Sequence, residues 1–192
     1  MKEFKIFEKY NNIMTTKEAV SEGITKAKLR ELVNKRILEK VSFGVYAIKG
    51  KYIDEFYLFQ KKYTSVVFSH NTALYFHQMT ERTPTKMDIT IYNGYNPYRF
   101  KDYTNVFTVK KELLNLGVIE IESPQGLIIK TYNLERCVCD LIKDKGSLDL
   151  ETANKAIRNC LKSKKFDASL MFEYAKKFKI YDKVKQYMEV II

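Results

Sequence analysis

Basic side chains are concentrated on one side of residues 25–36, a pattern suited to binding a polyanion. At about 100° per residue, Leu29, Leu32, Val33 and the stem of Arg36 share the side that we expect to pack on the domain. A helix that binds DNA contacts base edges with its N-terminal residues and phosphates with its margins. The sequence therefore predicts a DNA-binding set with Thr25 at the helix cap, base contacts from Lys26, Arg30 and Asn34, and phosphate contacts from Lys28, Lys35 and Lys40.

Other reactive side chains do not complete a catalytic or metal site in the sequence. On a helix, Cys137 and Cys139 lie about 200° apart and cannot face one ion. His70 and His77 share a helical face, but no second pair of ligands is spaced to complete a zinc site. No glycine-rich phosphate loop occurs, and the dipeptide Ser69-His70 is not specific for a nucleophile and its base. We predict no metal, no cofactor and no enzymatic activity.

Two further patterns leave alternatives open. A nucleic-acid-processing enzyme could use paired acids with a lysine, but none of the 17 acidic residues after position 50 has Lys two places later. Residues 95–103 interleave aromatic and cationic side chains, as single-strand-binding surfaces do. The alternative for this segment is an aromatic loop that packs on its own sheet.

The elements that must position the basic face can be read from the residues around it. Thr15 and Glu18 have the spacing of a capping box, so a short helix begins there, and Gly23 marks its end. Thr25 caps the next helix, with Ile24 and Leu29 at the positions of a hydrophobic staple. A hairpin with a glycine in its turn follows over residues 38–48. This order predicts a winged helix-turn-helix; the alternative is a basic helical hairpin whose lysines are merely solvated.

The rest of the chain predicts an α+β protein, in which an N-terminal winged helix-turn-helix domain, residues 1–50, precedes a mixed α/β C-terminal domain, residues 51–192, ending in several helices. Alternation along Lys86–Tyr92 predicts a strand with Met87, Ile89 and Ile91 on one face. Further strands are predicted at 66–68, 106–109, 118–121 and 127–131, and helices at Met1–Tyr10, 51–63, 70–78, 133–143, 149–162, 167–179 and 182–192.

Composition narrows the class of partner. The chain carries 34 Lys and Arg against 23 Asp and Glu, for a net charge of +11, and residues 1–50 alone hold 11 basic and 6 acidic side chains. This excess suits a polyanion. No apolar run approaches the roughly 20 residues of a membrane span, and the odd number of cysteines, three, argues against a disulfide framework. We expect a cytoplasmic protein without membrane contact.

Three strings of the C-terminal part carry a family resemblance: H-N-T-A-L at residues 70–74, P-T-K-M-D-I-T at residues 84–90, and L-E-R-C-V-C-D-L-I at residues 134–142. Together with the N-terminal pattern, the chain resembles the AbiEi antitoxins of bacterial type IV toxin-antitoxin systems, which act in abortive phage infection. The resemblance runs to about residue 145. Members commonly carry a basic residue just before the G-[VL]-Y of the wing, where this chain has Phe43.

The resemblance implies a transcriptional autorepressor that binds inverted repeats of double-stranded DNA in its own promoter. It also implies a C-terminal domain that counteracts a nucleotidyltransferase toxin without a stable complex. The alternative is an effector-responsive winged-helix transcription factor.

Glu135, Arg136 and Asp140 belong to the third string, and we expect them to form an ion-pair network, with Asp88 as a further partner, rather than an active site. The sequence has no heptad run for a dedicated dimer interface. We therefore expect a monomer in solution that pairs on bent DNA, whose flanks Lys110, Lys111 and Lys130 would hold.

Overall fold

The computed structural model describes residues 2–144, Gly146 and residues 148–191 as a mixed α+β chain with two sheets, which confirms the predicted class. The chain forms two compact units. The first contains the chain up to Thr64 together with Gln125–Leu127, and the second contains Ser65–Pro124 and the chain from Ile128 onward. Met1 and Ile192, at the ends of the first and last predicted helices, lie outside the described residues. Among the helices of the described part, none has the length and apolar character needed to cross a membrane.

The first unit surrounds a small antiparallel sheet with the order β1-β3-β2. Its core contains Phe7, Met14, Leu29 and Leu32, all of them almost fully buried. The strand β1 was not predicted, because three residues are too short to show alternation. In chain order the elements are α1 (Lys2–Lys9), β1 (Ile13–Thr15), α2 (Thr16–Ser21), α3 (Lys26–Asn34), β2 (Leu38–Ser42), β3 (Val45–Ile48) and α4 (Glu55–Lys62).

The local signals around α2 and α3 act as expected. The Thr15 hydroxyl accepts from the Glu18 amide at 3.2 Å, and the Glu18 carboxylate accepts from the Thr15 amide at 2.7 Å, which completes the capping box. Gly23 follows α2 with a φ of 82°, and the Thr25 hydroxyl caps α3 by accepting from the Lys28 amide. The expected packing of Arg36 is wrong: Arg36 lies beyond the end of α3 with a φ of 57°, and its side chain is exposed.

The helix α4 belongs to the first unit, so the boundary predicted at Gly50 is placed too early. Ile53, Tyr57 and Leu58 pack against the cluster of Ile13, Val45 and Ala47 on the small sheet. The Lys61 ammonium lies 3.0 Å from the Glu18 carboxylate and is 8% exposed. The sequence showed the apolar side of α4 but not which sheet would cover it. The helix also begins later than predicted, because the Asp54 carboxylate accepts from the Phe56 and Tyr57 amides and caps it.

The second unit is built on a mixed five-stranded sheet with the order β6-β5-β4-β8-β7. The pairs β4/β8 and β5/β6 are parallel, and the pairs β4/β5 and β7/β8 are antiparallel. The strand β5 is buried at Asp88, Ile89, Thr90 and Ile91, so both of its faces are covered. The elements are β4 (Val67–Phe68), α5 (His70–Phe76), β5 (Met87–Tyr92), β6 (Thr104–Val109), a 3-10 helix (Lys111–Leu113), β7 (Val118–Glu122), β8 (Ile128–Tyr132), α6 (Leu134–Lys143), α7 (Leu150–Lys162), α8 (Ala168–Lys177) and α9 (Tyr181–Ile191).

A buried ion pair lies at the centre of the second unit. Arg136 Nε donates to Asp140 at 2.9 Å, and Nη1 donates to the Leu113 and Leu116 carbonyls. The guanidinium lies 3.9 Å from the centre of the Tyr132 ring and 4.3 Å from that of Phe178. A guanidinium without exposed surface is tolerated only with such partners. The predicted Arg136–Asp140 pair is therefore present.

Asp88 and Glu135 do not join this pair as predicted. Asp88 accepts from the Asn71 amide at 3.0 Å and from the Asn105 side chain at 2.7 Å. Glu135 accepts from the Asp167 amide at the start of α8. The sequence identified these residues as polar, but their partners come from distant elements.

A substitution at Gly117 can test how tightly the residues around the Arg136–Asp140 ion pair are packed. A Cβ atom there would lie 2.7 Å from Asn133 Oδ1 and 2.9 Å from Arg136 Cβ, whereas a Cβ at Gly94 would meet nothing within 4 Å. Both glycines have positive φ, so each Gly→Ala change carries a backbone strain of about 1–2 kcal/mol. We expect Gly117→Ala to lower the free energy of unfolding by about 1–3 kcal/mol more than the control Gly94→Ala, because of overpacking. Urea unfolding followed by circular dichroism measures both, and equal losses would contradict the packing argument.

The environment of Glu18 predicts that the stability of the first unit depends on pH. Burial alone would raise the pKa of Glu18, but hydrogen bonds from the Thr15 amide and Lys61 outweigh it, so the pKa lies below its ordinary value of 4.5. The ionised carboxylate therefore stabilises the fold above the unfolded pKa, and this contribution is lost as the pH falls through the lowered folded pKa. We expect Glu18→Gln to cost about 1 kcal/mol at pH 7 and progressively less in acid.

The exposed Glu8 on α1 provides the matched control. Thermal unfolding of Glu18→Gln and Glu8→Gln between pH 3 and 7 makes the comparison. A loss in Glu18→Gln that stays constant across this range would contradict the assignment.

Candidate functional site

A groove in the first unit opens between α3 and the β2–β3 hairpin. Its volume is about 690 Å³. One side is formed by α3 and the start of α2, and the other by the hairpin. The residues that line it are Thr15, Thr16, Lys17, Lys26, Arg30, Val33, Asn34, Lys40, Phe43, Gly44 and Tyr46.

The charge of this groove has a single sign. Lys17, Lys26, Arg30 and Lys40 all line it, and all four side chains are exposed. Among its described lining residues there is no carboxylate. Cations gathered along a concave surface raise the local concentration of anions and attract phosphates. The groove is therefore suited to a polyanionic ligand.

The structure brings together four of the residues predicted to bind DNA. Lys26, Arg30 and Asn34 follow one another at intervals of four residues, which places them on one face of α3. Lys40 reaches the same groove from β2. The three predicted base contacts and one predicted phosphate contact thus share one surface.

Lys28 and Lys35 lie outside this groove and are bound to the same carboxylate. Glu31 accepts from Lys28 at 3.0 Å and from Lys35 at 2.8 Å, and Glu3 lies 3.9 Å from Lys28. Hydrogen bonds from Lys35 and then Lys28 lower the pKa of Glu31. A phosphate would have to compete with Glu31 for both ammonium groups. The Thr25 hydroxyl is likewise engaged, because it caps α3.

The groove also contains residues that were not predicted from the sequence, and they belong to the hairpin and to α2. The Gly44 carbonyl accepts from the Thr16 amide at 2.7 Å and from the Thr16 hydroxyl at 3.2 Å, which fixes the turn to the start of α2. Lys17 and Tyr46 reach the groove through these two elements. No signal in the sequence indicates that α2 and the turn meet. The sequence does show that Lys17 lies within the capping box, between Thr15 and Glu18.

Phe43 is the aromatic residue of the hairpin turn. Its side chain is 85% exposed, and the Lys40 ammonium lies 5.3 Å from the centre of its ring. It therefore presents an apolar surface beside the cations of the groove.

The second unit contains a chain of hydrogen bonds that resembles a catalytic triad in residue type. Ser69 Oγ lies 3.0 Å from His70 Nδ1, and His70 Nε2 lies 3.2 Å from Asp144 Oδ2. The imidazole stacks on the Phe107 ring, with 3.4 Å between ring centres. Ser69 and His70 are almost fully buried, so a substrate cannot reach the hydroxyl in this structure. The arrangement ties α5 to the end of α6.

Two carboxyl groups of the second unit have pKa values shifted in opposite directions. Burial raises the pKa of Asp88, although Asn105 and the Asn71 amide oppose the shift. For Asp144, burial would raise the pKa, but hydrogen bonds from His70 and Lys143 outweigh it and the pKa is lowered. The two carboxyl groups therefore differ in environment, and both contribute to tertiary packing.

The three cysteines are free and buried in the second unit. Burial raises the pKa of the Cys139 and Cys160 thiols to about 12, and it raises the pKa of Cys137 as well. Thiols in such surroundings stay protonated and are poor nucleophiles and metal ligands. Within the described residues, no cluster of three or more His, Cys, Asp or Glu side chains could hold a metal ion.

Residues 95–103 show features of both predicted alternatives, a single-strand-binding surface and an aromatic loop packed on its own sheet. Phe100 is buried and stacks with Tyr95 at 6.1 Å between ring centres, as expected for a loop packed on its own sheet. Tyr98 is 72% exposed, with the Lys101 ammonium 5.5 Å from its ring. The loop is thus anchored by Tyr95 and Phe100 and exposes the rings of Tyr98 and Tyr103.

Comparisons with known proteins add information about the fold. No protein-family model matches the sequence, and no curated protein matches it. Among solved structures, the chain is similar to the crystal structure of the RV2827C protein from Mycobacterium tuberculosis, with a TM-score of 0.51 and 12% sequence identity. The match covers 90% of this chain and 72% of that one. At this level of identity the similarity concerns the mixed α+β fold alone.

Proposed function

We propose that this chain is a DNA-binding transcriptional autorepressor and antitoxin of a type IV toxin-antitoxin system. The observation that carries the DNA-binding part is the groove of four cations, which has no acidic residue among its described lining. The ligand is double-stranded DNA, and α3 is the recognition helix.

In this proposal the first unit is a winged helix-turn-helix. Its helices α2 and α3 are separated by a turn at Gly23, and the β2–β3 hairpin is the wing. A recognition helix in the major groove presents one face to the bases, and Lys26, Arg30 and Asn34 form such a face. Lys17 of α2 and Lys40 of β2, which line the same groove, would bind phosphates of the flanking strands.

One module offers few base contacts, and each is worth only about 1–3 kcal/mol of discrimination. We therefore propose that two copies of the chain, monomeric in solution, pair on inverted half-sites. This arrangement supplies specificity without a preformed dimer.

The antitoxin part of the proposal rests on the resemblance of the three strings in the second unit. His70–Leu74 lies in α5, residues 84–90 lead into β5, and Leu134–Ile142 lies in α6. The first two strings meet where Thr72 Oγ1 accepts from the Asp88 amide at 2.8 Å, and Leu74 of the first string shares a core cluster with Leu134 and Val138 of the third. They therefore form a structural framework. We propose that the surface around this framework counteracts the nucleotidyltransferase toxin, which would be encoded beside this chain.

Substitutions on α3 test the DNA-binding proposal. Lys26→Ala and Arg30→Ala should each weaken binding to the promoter of the chain's own operon by about 1–3 kcal/mol, with a smaller effect on unrelated duplexes. Lys28→Ala and Lys35→Ala should have smaller effects on both, since Glu31 already engages these ammonium groups. Fluorescence anisotropy at several salt concentrations gives the affinities and their salt dependence.

Glu31→Gln is the matched variant that should change DNA affinity in the opposite direction. It releases Lys28 and Lys35 and should strengthen binding to any duplex at low salt. Promoter affinity that is unchanged in all five variants would exclude α3 from the interface.

The antitoxin proposal is tested by co-expression of the full chain with the adjacent gene, scored as growth. The wild type should restore growth, and the double variant Lys26→Ala/Arg30→Ala should still restore it while failing to repress a reporter under the operon promoter. Its charge changes lie in the first unit, whereas the three resemblance strings belong to the second unit. Lack of protection by the wild type would exclude the antitoxin assignment and leave DNA binding to be judged by anisotropy.

A further inference from the structure

The exposed ring of Phe43 is not explained by a groove that only binds phosphates. An aromatic ring this exposed keeps most of its apolar surface in water, so the fold gains little from its burial. Phe43 is 85% exposed at the tip of the hairpin, and it lines the same groove as Lys17, Arg30 and Lys40. A ligand that covers this ring must therefore combine negative charge with apolar or aromatic surface.

The surroundings of Phe43 favour nucleic acid over a protein partner. Protein interfaces are depleted of lysine, but this groove is lined by Lys17, Lys26 and Lys40 with no carboxylate among its described lining residues. The Lys40 ammonium lies 5.3 Å from the ring centre, so a cation and an aromatic face are presented together. DNA offers both counterparts, because phosphates border each groove and stacked bases form its floor.

The hairpin tip is also held in place, as an inserted side chain requires. The Gly44 carbonyl accepts two hydrogen bonds from Thr16, at 2.7 Å from the amide and 3.2 Å from the hydroxyl. Gly44 has a φ of 70°, which closes the turn without strain, and Ser42 pairs with Val45. The backbone beside Phe43 is therefore tied to α2, which limits the loss of entropy when the ring is inserted.

We propose that Phe43 is a wedge that enters the minor groove of the bound duplex, separates the stacked bases of one step and bends the DNA. This inference deepens the proposed function and rests on it. Apolar side chains that enter a base step kink the duplex, at a cost repaid by additional protein contacts.

The test uses the full-length chain and a 30-base-pair duplex that the wild type selects from a random-sequence pool. Adenines are replaced one at a time by 2-aminopurine, whose fluorescence rises when its base is unstacked, and dyes at the duplex ends report bending. With the wild type, we expect a rise at one step and a bent duplex. Phe43→Ala should abolish the rise, straighten the duplex and weaken binding about tenfold, with an unchanged salt slope because no phosphate contact is lost.

Three variants separate the wedge from other roles of this position. Phe43→Leu should retain most of the bend, and Phe43→Lys should increase the salt dependence of binding without unstacking a base. Tyr52→Ala removes an aromatic side chain that is 74% exposed in the same unit but outside the groove lining, and it should behave as the wild type. Phe43 and Tyr52 are exposed, so these variants should fold normally, and circular dichroism checks this.

The outcomes distinguish the wedge from the proposed function. Duplex binding without increased fluorescence at any position, or wild-type affinity in Phe43→Ala, would overturn the wedge and leave the DNA-binding proposal intact. An equal loss of affinity for heparin, a polyanion without bases, would also overturn the wedge, since the ring would then act by placing Lys40. A wild type that selects no duplex at all would overturn the proposed function itself.

Discussion

The hydrogen bonds between Thr16 and the Gly44 carbonyl are the constraint on which the cationic groove depends. They join the first residue of α2 to the turn between β2 and β3, two elements 28 positions apart in the chain. They extend the pairing of β1 with β3, in which Thr15 lies opposite Val45, so the hairpin that carries Lys40 is held beside the start of α2. The capping box formed by Thr15 and Glu18 fixes the start of α2, and Lys61 of α4 binds the Glu18 carboxylate. Helix capping, turn geometry and an ion pair thus converge on one corner of the first unit.

Glu31 divides the cations of α3 into two groups. Lys28 and Lys35 share its carboxylate, whereas Lys26 and Arg30 face the groove. Exposed ion pairs add little stability because water screens them. Their effect here is on availability, since an ammonium group already bonded to a carboxylate is a weaker phosphate ligand than one that faces a groove of single sign. This division gives α3 a preferred side for the proposed DNA contact.

The second unit shows how buried polar residues can suggest chemistry and yet stabilise a fold. Arg136 is enclosed by two aromatic rings, one carboxylate and two carbonyls, and the Ser69–His70–Asp144 chain is covered by Phe107. Burial without a path for substrate favours a framework role for both groups. The strings at residues 70–74 and 134–142 contribute His70, Arg136 and Asp140 to this framework, so the surface of the unit is left to carry its proposed activity.

The sequence by itself determined the features that depend on neighbouring residues. The caps at Thr15 and Thr25 lie where their spacing placed them, and the apolar face of α3 is buried at Leu29 and Leu32. These features follow from local hydrogen bonds and helical periodicity, which a single sequence displays.

Only the tertiary structure decided the pairings between distant residues. It placed α4 on the small sheet, gave Asp88 to Asn71 and Asn105 in place of Arg136, and closed the groove with Thr16 and Gly44. It also showed that Lys28 and Lys35 are engaged by Glu31 while Phe43 is exposed. The physical reason is that burial and pairing depend on which surfaces come into contact when the chain folds. The spacing of residues along the sequence does not specify those long-range contacts.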